Sequence, residues 1–195
     1  MKSSLFISLL FVSGGIYAEA VIPAHCEVVT VPLQKLQAGQ MVRVDQGEMY
    51  ASIYMRTPEE VAYSLNRDIN EFDNKYPSWW PSDKYPIQQI GNPERSLTPK
   101  YFVFWSGSPM YSHHVSLIKQ REDWHVESYD LSYLPNPIVP GFIDYHNQIY
   151  FDVTGRPVRW GEKSMGHNYS KLPLLIPSYV YNGNENSITI TCTKN

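Results

Sequence analysis

Residues 100–105 read Lys-Tyr-Phe-Val-Phe-Trp, KYFVFW. After one lysine the run is apolar or aromatic without alternation, so a strand built from it has two apolar faces. Such a strand needs cover on both sides, and the segment is expected to be the central strand of the fold.

Outward from this run the chain reads as paired strands. Upstream, Met41 to Val44 and Met49 to Met55 flank Asp45-Gln46-Gly47-Glu48, a hairpin with Gly47 in its turn. Downstream, His113 to Lys119 and Trp124 to Tyr129 flank Gln120 to Asp123 as a second hairpin. Gln148 to Val153 and Pro157 to Trp160 flank Thr154-Gly155-Arg156 as a third. The final strand, Ser187 to Lys194, alternates Ile188 and Ile190 with threonines after the turn Asn182-Gly183-Asn184. Near the start, residues 27–36 begin with a β-branched run that Pro32 interrupts. Proline cannot donate to a sheet ladder, so this is an edge strand ending there. Residues 130–146 hold Pro135, Pro137 and Pro140 and read as a loop.

One helix is expected, from Pro58 to Asn74. Thr57 suits the N-cap, Pro58 the first helical position, and Glu60 completes a capping box. Val61, Leu65, Ile69, Phe72 and Tyr76 follow helical spacing and fall on one narrow stripe, opposite Asn66, Arg67, Asn70 and Asp73. The stripe predicts docking on a sheet through Val61, Leu65, Ile69 and Phe72. The fold class is therefore α+β: an antiparallel β-rich single domain with one amphipathic helix packed on the sheet.

Residues 1–20 read as a secretory signal peptide, leaving residues 21–195 as the single globular domain. Lys2 is the basic start, Leu5 to Val12 the apolar stretch, and Ala18-Glu19-Ala20 a small-x-small processing site, with cleavage after Ala20 or Ala18. The apolar stretch is too short to span a bilayer, which takes about 20 residues. A lipoprotein is disfavoured because His25, not a small residue, precedes Cys26. The expected location is periplasmic or secreted, with no integral membrane segment in the mature chain. In an oxidising compartment the two cysteines, Cys26 and Cys192, pair by default and tie the ends of the chain together. Chain entropy over so long a loop amounts to roughly 5 kcal/mol.

Composition narrows function mainly by exclusion. With 16 basic and 19 acidic residues the net charge is −3, which offers nothing to drive phosphate binding, so nucleic acid is not an expected partner. At 18% charged and 43% hydrophobic residues the chain can bury a core, unlike a disordered one. No GxSxG, HExxH, P-loop or GxGxxG pattern occurs, and no pattern calls for a cofactor or a metal.

Two groups of residues remain as candidate sites. Strand alternation puts His114, Ser116, His125, Glu127 and Tyr129 on one face of the second hairpin, with His113 on the apolar side. A general base with an orienting carboxylate is available there, His114 or His125 with Glu127, as in a small secreted hydrolase. Those histidines would stand some ~13 Å apart, too far to share a metal ion. The bland alternative is a solvated polar face of a half-buried hairpin.

The second group is the proline-aromatic stretch 76–99, where Tyr76, Trp79, Trp80 and Tyr85 alternate with prolines. Trp and Tyr offer rigid contact area at low entropy cost and dominate binding hot spots. The same flat rings suit sugars, so a glycan or cell-wall binder using Trp79 and Trp80 is an alternative. The expected function is a non-enzymatic exported binding protein that recognises another macromolecule, most simply a protein, through these loops. A periplasmic inhibitor or a toxin-neutralising immunity protein is its concrete form.

Overall fold

A computed structural model describes residues 27–46, 50–68, 87–107, 114–119, 139–160 and 172–191. Among them are three small antiparallel sheets and one short helix.

The first sheet joins the two ends of the described chain. Its strands are β1 (Val29–Pro32), β9 (Tyr179–Asn182) and β10 (Ser187–Ile190), in the order β1-β10-β9. β1 lies at the edge and ends at Pro32, as the missing N–H of proline requires. Ile188 and Ile190 are fully buried on the middle strand. The turn before it is set by Asn182, whose Oδ1 accepts from the backbone N–H groups of Asn184 and Glu185.

The second sheet contains β2 (Gln40–Asp45), β3 (Tyr50–Met55) and β4 (Tyr101–Trp105), ordered β2-β3-β4. The β2–β3 pairing runs from Gln40 opposite Met55 to Asp45 opposite Tyr50, the hairpin expected from the alternation. β4 is the KYFVFW run, buried at all five positions. Its place differs from expectation in one respect. β4 ends its sheet in the ladder, yet it is central in the packing. Phe102 and Phe104 stack on each other and meet Phe142 on one face, while Tyr101 meets Tyr181 on the other. Both faces are apolar because each is covered by a different sheet.

The third sheet is β5 (Val115–Ile118), β6 (Gly141–Asp144), β7 (Ile149–Phe151) and β8 (Pro157–Trp160), in sequence order. β7 and β8 form the third hairpin, with an irregular register between Tyr150 and Phe151. Two expectations need correction. Residues 141–144, read as loop because of nearby prolines, form β6 immediately after Pro140. The described partner of β5 is this β6, with Leu117 opposite Phe142, while Trp124 to Tyr129 lie outside the described residues. Nor is the second face of β5 simply solvated. Ile118, Ile143 and Tyr150 form a small buried cluster there, apart from the main core that takes Val115 and Phe142.

The helix α1 spans Pro58–Leu65, with Asn66 as C-cap, and does not reach Asn74. Its start is as expected: Thr57 Oγ1 accepts from Glu60 N at 3.3 Å, and Glu60 Oε2 accepts from Thr57 N at 2.8 Å. Its end is set by side chains that serve the last turn. Asn66 Nδ2 donates to Ala62 O, and Ser64 Oγ to Val61 O. The buried face is also a correction. Glu60 and Ser64 point inward, whereas Leu65 is 49% exposed. The cause is Tyr54 of β3, fully buried, whose hydroxyl donates to the Glu60 carboxylate at 2.8 and 2.9 Å. Satisfying that phenol fixes the rotation of the helix. Ile69 and Phe72 lie outside the described residues.

Candidate functional site

Most of the residues singled out from sequence lie outside the described residues: Tyr76, Trp79, Trp80, Tyr85, His125, Glu127, Cys26 and Cys192. Of the candidate hairpin face the structure places His114 and Ser116, the latter in β5 opposite Ile143, while His113 and Tyr129 also lie outside the described residues. His114 forms an isolated bridge with Gly107, just before β5. Its ring meets Tyr50 edge-on, with centroids 5.3 Å apart, and its Nδ1 is buried without a hydrogen-bond partner. Beneath this corner, Ser52 Oγ donates to Ser106 Oγ at 2.7 Å, and Ser106 Oγ donates to Tyr50 O at 3.1 Å. Both serine hydroxyls are thus engaged in holding β3 to the end of β4.

The densest polar construction among the described residues is one that sequence reasoning missed. Arg56, Arg95 and Arg156 are each 4% exposed or less and converge on the segments 93–99, 152–156 and 174. Arg56 donates to Val153 O (3.0 Å), Pro99 O (2.8 Å), Glu94 O (2.7 Å) and Ser96 Oγ (3.1 Å). Arg95 donates to Thr154 O, Gly155 O and Leu174 O at 3.0, 3.2 and 2.7 Å. Arg156 donates to Pro93 O and Thr154 Oγ1. Phe102 lies against two of the guanidiniums, with the Arg56 Cζ 5.2 Å and the Arg95 Cζ 6.0 Å from its ring centroid.

Asp152 is the carboxylate of this cluster. Its Oδ1 accepts from Thr154 N, Thr154 Oγ1 and Arg156 N; its Oδ2 accepts from Tyr63 OH and forms an ion pair with Arg67 Nε, both at 3.2 Å. Burial pushes Arg56 down to about 10 and Arg95, which also feels Arg156, down to about 9. Both values leave the guanidiniums charged at neutral pH. Every oxygen of Asp152 and of Glu60 already accepts a hydrogen bond, so neither stands ready as a general base. The arrangement is a brace: charged forks replace water on the carbonyls of loops that cross the core. What the sequence showed of this region was only the turn Thr154-Gly155-Arg156, whose glycine adopts a φ of +74°. The arginines carried no periodic signal that would have marked them as buried.

A groove of about 330 Å³ opens beside this brace. Its lining is Thr57, Glu59, Glu60 and Tyr63 of the helix start, with Val139, Pro140, Asp152 and Val153 opposite. Tyr63 is 41% and Val139 56% exposed at its rim.

No protein-family profile and no curated protein matches this chain. Among the described residues no three His, Cys, Asp or Glu side chains are grouped so as to hold a metal ion. Among the same residues no helix is long and apolar enough to cross a membrane.

Proposed function

We propose that the protein is an exported binding protein that recognises another macromolecule, most simply a protein, through the Tyr76, Trp79, Trp80 and Tyr85 stretch. In this reading residues 1–20 are removed on export. Residues 21–195 form a single α+β domain with its helix packed on a sheet, closed by a Cys26–Cys192 bridge in the periplasm or outside the cell. A periplasmic inhibitor or toxin-neutralising immunity protein is the concrete form.

The observation that carries the reading is the anchoring on either side of the aromatic stretch. On the N-terminal side Tyr63 and Arg67 are held by Asp152 of the buried brace. On the C-terminal side Ile87 bridges Pro177, Gln88 N donates to Ile176 O at 2.8 Å, and Gln88 Oε1 accepts from Tyr179 N. A sequence rich in Trp, Tyr and Pro thus joins two points fixed to a rigid scaffold, the arrangement in which connecting segments most often bind. The bridge is supported by the first sheet, in which Val29, soon after Cys26, lies opposite Ile190, soon before Cys192.

The test is titration of the partner captured by the mature protein against two sets of variants. Trp79→Ala or Trp80→Ala should weaken binding roughly thirty-fold, the effect of about 2 kcal/mol at a hot spot. His114→Ala and Glu127→Ala should leave it intact. A hydrolytic activity that is lost in His114→Ala or Glu127→Ala and kept in the tryptophan variants would make the protein an enzyme instead. A glycan-array signal that depends on Trp79 and Trp80 would make it a glycan binder.

A further inference from the structure

We propose that Asn182 is a self-modifying site. In the folded protein the amide of Gly183 displaces ammonia from the Asn182 side chain, and residue 182 becomes aspartate or isoaspartate. The co-reactant is water.

Asn182 ends β9, and Gly183 opens the turn to β10. The two residues form the one Asn-Gly pair in the chain. Contacts from the end of β1 hold the turn in place. Gln34 Nε2 donates to Glu185 O and Leu33 N to Asn186 O, both at 2.9 Å, while Asn182 lies opposite Ser187 in the ladder. Residues 183–185 are exposed, so water reaches the site.

The step builds a five-membered imide. Gly183 N gives its proton to hydroxide and bonds to Asn182 Cγ. The Cγ–Nδ2 bond breaks, and Nδ2 takes a proton from water and leaves as ammonia. Water then opens the imide. Cleavage between Cγ and the Gly183 nitrogen leaves aspartate in an ordinary main chain. Cleavage between the Asn182 carbonyl carbon and that nitrogen leaves isoaspartate, with the main chain running through Cγ. The balance is one water consumed and one ammonia released.

The turn favours each part of this attack. Asn182 Oδ1 accepts from Asn184 N at 3.2 Å and from Glu185 N at 3.4 Å. These donors polarise Cγ and stabilise the charge that gathers on Oδ1 in the tetrahedral intermediate, as an oxyanion hole does. The hydrogen bonds within the turn are donated by the N–H groups of Asn184, Glu185 and Asn186, which leaves the Gly183 N–H out of them. Glycine has no side chain to shield that nitrogen from close approach. The same turn spares its other asparagines. The amide that would attack Asn184 is that of Glu185, engaged by Asn182 Oδ1. The amide that would attack Asn186 is that of Ser187, a residue 4% exposed and paired in the sheet. The two products differ in consequence. Aspartate keeps both hydrogen bonds and adds charge to them. Isoaspartate adds a methylene to the main chain and pulls the acceptor away from the turn.

The experiment is incubation of the folded chain at a series of pH values above neutral, followed by peptide mass mapping and enzymatic methylation of isoaspartate. The peptide that holds residue 182 should gain about one mass unit as the amide becomes an acid. The rate should rise in proportion to hydroxide. Gly183→Ala should slow the gain several-fold. That variant fits the fold, because its Cβ would meet the Tyr181 ring at 3.5 Å, an ordinary contact, and its melting temperature should match the wild type. An unchanged mass at residue 182 in the folded chain, while the urea-unfolded chain reacts there, would overturn the proposal, as the fold would then protect the site. Earlier conversion of Asn184 or Asn186, or a rate indifferent to Gly183→Ala, would overturn it as well.

Discussion

Gly155 shows how little freedom the centre of the molecule has. Its φ is +74°, and a Cβ there would lie 2.4 Å from Phe102 Cζ and 3.1 Å from Arg95 Nη1. Gly155→Ala therefore combines backbone strain with a clash against a ring that is itself fixed by two guanidiniums. The expected loss is about 2–4 kcal/mol, read as a lower urea midpoint at unchanged slope. Tyr179 supplies a second test. Burial pushes its phenol up to about 12, against the opposing pull of the Leu97 N–H and of Arg56. The folded value lies above the unfolded one. The stabilisation is thus complete below pH ~10 and lost as the pH rises through the folded value. Wild-type protein should lose stability across that alkaline window, and Tyr179→Phe should lose up to about 2–3 kcal/mol less over the same range. Urea midpoints measured from neutral to alkaline pH decide it. Parallel curves would mean that the phenol ionises in the folded protein as it does in the unfolded chain.

At the scale of elements, α1 separates what local sequence determines from what it does not. The capping box at Thr57 was legible because its groups lie within four residues of one another. The rotation of the helix was not, because it is set by Tyr54 on a strand. That hydroxyl needs a buried acceptor, and Glu60 provides it at the expense of the apolar stripe. The consequence is testable. Leu65→Ala, half exposed, should cost less than about 1 kcal/mol, not the 2–5 kcal/mol of a buried leucine. Glu60→Ala should cost about 2–3 kcal/mol, since it removes the cap and leaves the Tyr54 hydroxyl buried without an acceptor. Thermal unfolding of the two variants side by side checks the ranking. The strands follow the same division. The β2–β3 and β7–β8 hairpins were readable from alternation about a glycine turn. β6 was not, because four residues beside Pro140 carry too little pattern, and its strand character comes from pairing with β5 and β7. The burial of KYFVFW was readable from composition, but which sheets cover its two faces was not. Of the candidate site, the aromatic stretch was visible as composition alone. The groove and the arginine brace were invisible, since both form from residues far apart in the chain.

At the scale of the whole molecule, β1 beside β10 brings the two ends of the described chain to one sheet. With the proposed bridge, the oxidised mature protein should present no alkylatable thiol after denaturation, and reduction should lower the melting temperature. One reactive cysteine per chain would indicate an unpaired or intermolecular arrangement. The arginine brace has a consequence of a different kind, for the order in which parts of the protein open. Its guanidiniums serve carbonyls on three stretches of chain at once, and releasing any one stretch leaves at least one buried guanidinium donor without its acceptor. Partial opening near the brace is therefore nearly as costly as complete unfolding. The amide protons of Asp152, Gly155 and Leu174, each bonded within this region, should exchange with solvent at a common slow rate. That rate should follow global stability as denaturant is added, while amides of the exposed turn at residues 183–186 exchange early.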